Sequence, residues 1–141
     1  MATIRKEILI SARPEFVWDA LRDVGALHTR LCPGFVTDVR MEVGARVVTF
    51  GNGVVARELI VSIEDDARRV VWSVVDGPFT HHNGAAQVFA EGNGQSRFVW
   101  TADLLPNGAA PAVESMMEQA MPIIKSTLER AEGTQSIRRG A

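Results

Sequence analysis

The chain has 141 residues, close to half of them apolar and about a quarter charged, with a formal net charge of −2. That length holds one domain with one core, and interspersed charges of both signs without a basic patch exclude the electrostatic footprint of a nucleic-acid binder. "VVWSVV" is the longest apolar run of its kind, far short of a bilayer span. "MATIRKEILIS" alternates polar and apolar residues where a signal peptide would carry a basic start and an apolar block. The expectations are therefore a cytoplasmic location and no membrane insertion. Cys32 is the single cysteine, which excludes an internal disulfide. "LCPGF" places neither base nor cation beside it, so a buried, inert thiol is expected ahead of a nucleophile.

Residues 4 to 10 form a strand, with Ile4, Lys6, Ile8 and Ile10 on one face and Arg5, Glu7 and Leu9 on the other. In "SARPEFVWDALRDV" Ser11 suits a helix cap and Pro14 a first turn, and Phe16, Val17, Ala20, Leu21 and Val24 recur at helical spacing. Gly25 ends that helix, and "ALHTRL" reads as a second short one, stopped by Pro33-Gly34. The period then becomes two. "FVTDVRME", "ARVVTFGNG", "VVARELIVSIED", "RRVVWSVVD", "THHNGAAQVFAE" and "SRFVWTADLL" are strand candidates joined by turns such as Gly51-Asn52-Gly53 and Gly92-Asn93-Gly94. Strands, not helices, follow those glycines, so they are not phosphate loops.

After Pro106-Asn107-Gly108 the helical period returns. Val113, Met116, Met117, Ala120, Met121, Ile124 and Leu128 make one apolar stripe. The pattern predicts a helix from about Pro111 to Glu132, bent at Pro122, with residues 134–141 as a polar, frayed tail beyond a single domain of residues 1–133. The chain is thus α+β: consecutive hairpin strands make an antiparallel meander, and the long helix buries its stripe on one sheet face.

Element order and punctuation resemble the START-like superfamily, also called SRPBCC or the helix-grip fold. The marks are "PEFVWDAL" after the first strand, "ARELIVSIEDDARRVVWSVVDG" through a hairpin, and "GNGQSRFVWTADLLPNG" before the last helix. Together they are most similar to the bacterial group of polyketide cyclase/dehydrase and lipid-transport proteins. The resemblance implies a curved seven-stranded antiparallel sheet wrapped around the C-terminal helix, with two short helices after strand one and a cavity between sheet and helix. Plant hormone receptors of the superfamily carry a pocket glutamate at the place of Glu58 and a gate at residues 50 to 54. "FGNGV" lacks the gate's proline-containing loop, so a hormone-receptor function is not expected.

On that architecture "THHNGAAQV" asks why imidazoles and near-empty side chains occupy a core strand. His82, Gly84, Ala86 and Val88 share one face and His81, Asn83, Ala85 and Gln87 the other. The resemblance turns the His82 set toward the helix. Gly84 and Ala86 then read as room for a ligand, the alternative being a large neighbour such as Trp72 packing onto them. His81 and His82 point apart and His28 is the only other histidine, so no metal site is expected.

Glu58, inward with Ala56, Ile60 and Ser62, is either a binding anchor or acid–base group or a partner of Arg57, Arg68 or Arg97 at the sheet rim. His82 is either a core histidine satisfied by backbone or a ligand contact and general base. Trp72, Trp100, Met117 and Met121 read first as core, and as cavity wall if a cavity exists. No nucleophile elbow, Rossmann or P-loop pattern occurs, and no cofactor is expected. Tyrosine is absent, which removes the phenol that some cyclase-type relatives use as proton donor. The leading expectation is binding or transport of a small, mostly hydrophobic molecule (lipid, aromatic or polyketide-like). The alternative is a cyclase/dehydratase-type enzyme with Glu58 and His82 as its acid–base pair, and the blandest reading is a closed core. A homodimer stays open.

Overall fold

A computed structural model describes residues 1–140, with side chains through residue 135. Strand β1 (Ala2–Ile10) leads into helix α1 (Pro14–Arg22). A 3₁₀ turn (Val24–Ala26) and a π-helical turn (Leu27–Leu31) follow. Then come β2 (Val36–Glu42), β3 (Ala45–Phe50), β4 (Val55–Glu64), β5 (Arg69–Val75), β6 (His81–Gly92) and β7 (Gln95–Leu105). Past a 3₁₀ turn at Asn107–Ala109, helix α2 runs over Ala110–Gly140. The seven strands form one sheet in the order β1-β7-β6-β5-β4-β3-β2, antiparallel throughout.

Hairpin chemistry fixes the register. Gly92 pairs with Gln95 across a loop of Asn93 and Gly94, both at positive φ (55° and 72°), as a type I′ turn requires. Register shifts interrupt the ladder between Ile60 and Ser62 in β4 and between Ala90 and Gly92 in β6. Such irregularities raise local twist and bend a strand, which lets the sheet curve around α2.

Helix α2 buries Val113, Met117, Ala120, Met121, Ile124 and Leu128, the stripe anticipated from the sequence. Pro122 sits within the helix on its exposed side. The carbonyl it leaves without a partner, that of Glu118, belongs to an exposed residue, where water is available. Beyond the stripe, Lys125 donates to the Leu9 carbonyl (2.7 Å), Glu129 accepts from the Ser11 amide (2.7 Å), and Arg13 pairs with Glu132 (2.9 Å). These contacts tie α2 to the end of β1 and the residues that lead into α1.

Two expectations about helix ends are corrected. Ser11 does not cap α1: Arg13 occupies that position without a side-chain cap, because Pro14 already opens the helix. Helix α2 does not stop near Glu132 but continues through Gly133, which takes no left-handed φ, and Thr134 Oγ1 bonds back to the Arg130 carbonyl (3.0 Å). The side chains of residues 136–141 in the expected tail lie outside the described residues.

Apolar burial falls into two clusters. One joins α1, the sheet and the second half of α2 through Phe16, Trp18, Val70, Trp72, Phe98 and Ile124. The other joins Ile4, Ala102 and Leu104 to Val113 and Met117. Trp100 packs against both. Between them the interior is not filled.

Candidate functional site

The inner face of β6 alternates as its sequence requires: His82, Gly84, Ala86 and Val88 are buried, and His81, Asn83, Ala85 and Gln87 less so. Trp72 on β5 pairs directly with Gly84. A Cβ on Gly84 would come under 3.0 Å from three atoms of the Trp72 indole. The expectation that Gly84 opens room for a ligand is therefore corrected. Its missing side chain is filled by the Trp72 ring, and Gly84 is not part of the cavity wall. Ala86, one step along the same face, does line it.

The cavity has a volume of about 760 Å³, within the range of small-molecule sites. Its floor is the inner sheet face, with Val70, Trp72, Ala86, Phe98, Trp100 and Ala102; Val113, Met116, Met117, Ala120 and Ile124 of α2 cover it. Leu27, Leu31 and Cys32 close one side. The rim is formed by the β3–β4 turn (Gly51, Asn52, Val54), the β5–β6 loop (Asp76, Gly77, Pro78) and the exposed Ala112, Ser115 and Gln119 of α2.

Few polar groups face inward. Arg46 (5 % exposed) and Glu58 (6 %) occupy directly paired positions on β3 and β4, and Arg46 Nε donates to Glu58 Oε1 at 2.8 Å. The guanidinium also donates from Nη1 to the Val24 carbonyl (3.1 Å) and lies 5.5 Å from the centroid of the Trp72 ring, close enough for a cation–π contact. Glu58 thus faces the interior, as expected, but its partner is neither Arg57, Arg68 nor Arg97. Arg57 pairs with Glu42, Arg97 with Glu7 and Glu91. Counting outward from the Gly51–Gly53 turn puts Arg46 opposite Glu58, so hairpin register was the signal that would have found it.

His82 (8 % exposed) sits on the wall beneath Phe79, ring centroids 4.6 Å apart in an edge-on arrangement. Its Nδ1 is buried without a hydrogen-bond partner, so the backbone-satisfied alternative is not what the structure contains. Burial pushes the His82 imidazolium below the usual histidine range, His81 adds to that, and Asp103 opposes it. His81 points outward, with Nε2 2.8 Å from Asp103 Oδ1. Burial pushes the Cys32 thiol up to about 12, which keeps it protonated.

Of the residues singled out from the sequence, Glu58, Trp72, His82, Ala86, Trp100 and Met117 line the cavity. Met121 is buried in the core away from the wall, and Gly84 lies under Trp72. Glu58 and His82 do not adjoin: β5 runs between their strands, a separation of about 10 Å at the usual strand spacing. Among the described residues no group of three or more His, Cys, Asp or Glu is placed to hold a metal ion, and no helix is long and apolar enough to cross a membrane.

The family model for polyketide cyclase / dehydrase and lipid transport matches residues 1–130. The chain belongs to that family. The seven-stranded sheet closed over a long C-terminal helix is the START-like, or SRPBCC, helix-grip fold, and solved structures repeat it. A protein from Thermobifida fusca is similar with TM-score 0.74 at 25 % identity, covering 95 % of each chain. A START superfamily protein from Mycobacterium smegmatis gives 0.70 at 13 % identity, covering 94 % of this chain and 98 % of its own. Norcoclaurine synthase from Thalictrum flavum, solved with dopamine and hydroxybenzaldehyde, gives 0.69 at 13 % identity, covering 92 % of this chain and 85 % of its own. No curated protein matches the sequence.

Proposed function

We propose that this family member binds or carries a small, mostly apolar molecule in the cavity between the sheet and α2. The observation that carries the reading is the cavity itself: about 760 Å³ walled chiefly by Trp, Phe, Val, Met and Ala side chains. A closed core would bury those groups against one another, since interiors pack to crystal-like density. Here two apolar clusters stop short of merging, and a ligand that filled the gap would remove their facing surfaces from water at roughly 25 cal/mol per Å². The family description includes lipid transport, and the related fold of norcoclaurine synthase holds small aromatic molecules.

The cyclase/dehydratase reading has weaker support. It needs a free base and acid converging on one substrate. Glu58 is engaged by Arg46, and His82 stands two strands away.

The experiment is to extract the purified protein with organic solvent, identify what is released by mass spectrometry, and add the compound back. An apolar compound at about a hundredfold excess over its dissociation constant stabilises the fold by about 2.7 kcal/mol, visible as a rise in melting temperature. An empty extract, together with no thermal response to a panel of fatty acids, sterols and polycyclic aromatics, would overturn the reading.

A further inference from the structure

Resting on that reading, we infer that the ligand is uncharged and carries a hydroxyl-like group, donor and acceptor at once, that docks on the Arg46–Glu58 pair. Charge accounting over the cavity leads there. Arg46 and Glu58 are the buried charges of its wall, and they neutralise each other at 2.8 Å. Cys32 is protonated, burial disfavours the charged form of His82, and Asp76 stands on the exposed rim. A carboxylate or ammonium brought inside would shed its hydration and meet no uncompensated counter-charge, which is costly in an apolar enclosure.

The pair nonetheless keeps hydrogen-bonding capacity. Arg46 spends Nε on Glu58 and Nη1 on the Val24 carbonyl; Nη2 makes no hydrogen bond to the described residues. Glu58 spends Oε1 on Arg46, and its Oε2 likewise makes none. One nitrogen, Nη2, and one oxygen, Oε2, without hydrogen-bond partners among the described residues, on neighbouring strands beside the Trp72 face, match a phenol or alcohol that accepts from the first and donates to the second. A ligand without such a group leaves both atoms unpaired in an apolar enclosure.

The test is a calorimetric titration of the full chain with four probes of one skeleton: β-methylnaphthalene, β-naphthol, β-naphthoate and β-naphthylmethylammonium. The expected result is that β-naphthol binds at least roughly tenfold tighter than each of the other three. In the double variant Arg46→Met/Glu58→Leu, which exchanges the ion pair for apolar groups of similar size, naphthol and methylnaphthalene should bind alike. Naphthoate or the ammonium binding as tightly as naphthol overturns the inference while leaving cavity binding intact, and so does a naphthol preference that survives in the double variant. Failure of all four probes, methylnaphthalene included, counts against the cavity reading itself and takes the inference with it.

Discussion

The indole of Trp72 covers Gly84 so closely that no side chain fits beneath it. This one contact decides what the small residues of β6 are for. It fixes the ring that forms the cavity floor, and the same ring carries the Arg46 guanidinium on its face. Gly84→Ala should therefore do more than fill a gap. The methyl group must displace Trp72, and overpacking of this kind costs about 1–3 kcal/mol. Urea unfolding followed by tryptophan fluorescence checks it; a variant as stable as wild type with an unshifted emission spectrum would show that the ring is not held there.

The Arg46–Glu58 pair should respond asymmetrically to substitution. Removing one partner leaves the other charge buried alone, so Arg46→Met or Glu58→Leu should each lose about 3–5 kcal/mol. The double variant should lie nearer to wild type than either single change, because both desolvated charges are gone. A double-mutant cycle by chemical denaturation measures this. Additive losses would mean that the two side chains do not interact.

His82 should make stability depend on pH on the acid side of neutrality. Its imidazolium is disfavoured by burial, so its folded pKa lies below the ordinary 6.5. Between those two values the unfolded chain binds the extra proton and the folded one does not, and stability rises with pH there. The contribution is complete above 6.5 and is lost as pH falls toward the folded value. His82→Phe should flatten this part of the profile, while the carboxylate-driven loss at lower pH remains, since the Lys125 ammonium holds Glu129 below the usual carboxylate range. Melting curves of both proteins across pH 5 to 8 test the difference, and parallel profiles would remove His82 from the account.

What was legible in the sequence follows the range of each interaction. Alternation in β2 to β7, the Asn93-Gly94 turn and the α2 stripe are local patterns, and each appears where its period placed it. The opposite facing of His81 and His82 follows from alternation alone. The burial of Glu58 follows the family resemblance instead: by alternation the more apolar face of β4 is that of Val55, Leu59, Val61 and Ile63, which the structure leaves exposed. What sequence reading missed depends on the neighbour supplied by another segment. Arg46 as the partner of Glu58 required hairpin register. Deciding at Gly84 between room for a ligand and the Trp72 ring, both open from the sequence, required knowing how far Trp72 leans across one strand. Ser11 reads as a cap by residue type, yet its amide is claimed by Glu129 from the far end of the chain. Gly133 reads as a helix stop, yet neither a proline nor a left-handed turn enforces one.

Ala86 offers the most direct test of whether the empty volume is functional. It is 2 % exposed, lines the cavity, and lies between Val70 on β5 and Trp100 on β7. Ala86→Phe places an aromatic ring in the open space. If the volume is a true void, the ring gains apolar contacts without displacing neighbours, and such cavity-filling changes commonly add about 0.5–2 kcal/mol. If the core were closed, the same ring would strain its surroundings and cost about 1–3 kcal/mol. The sign of the change in unfolding free energy separates the two. The same variant separates stability from binding: with the ring taking part of the roughly 760 Å³, the thermal response to β-methylnaphthalene should weaken while the protein melts at or above the temperature of the ligand-free wild type. A variant that keeps the full ligand response would place the binding site elsewhere than on the inner face of β6.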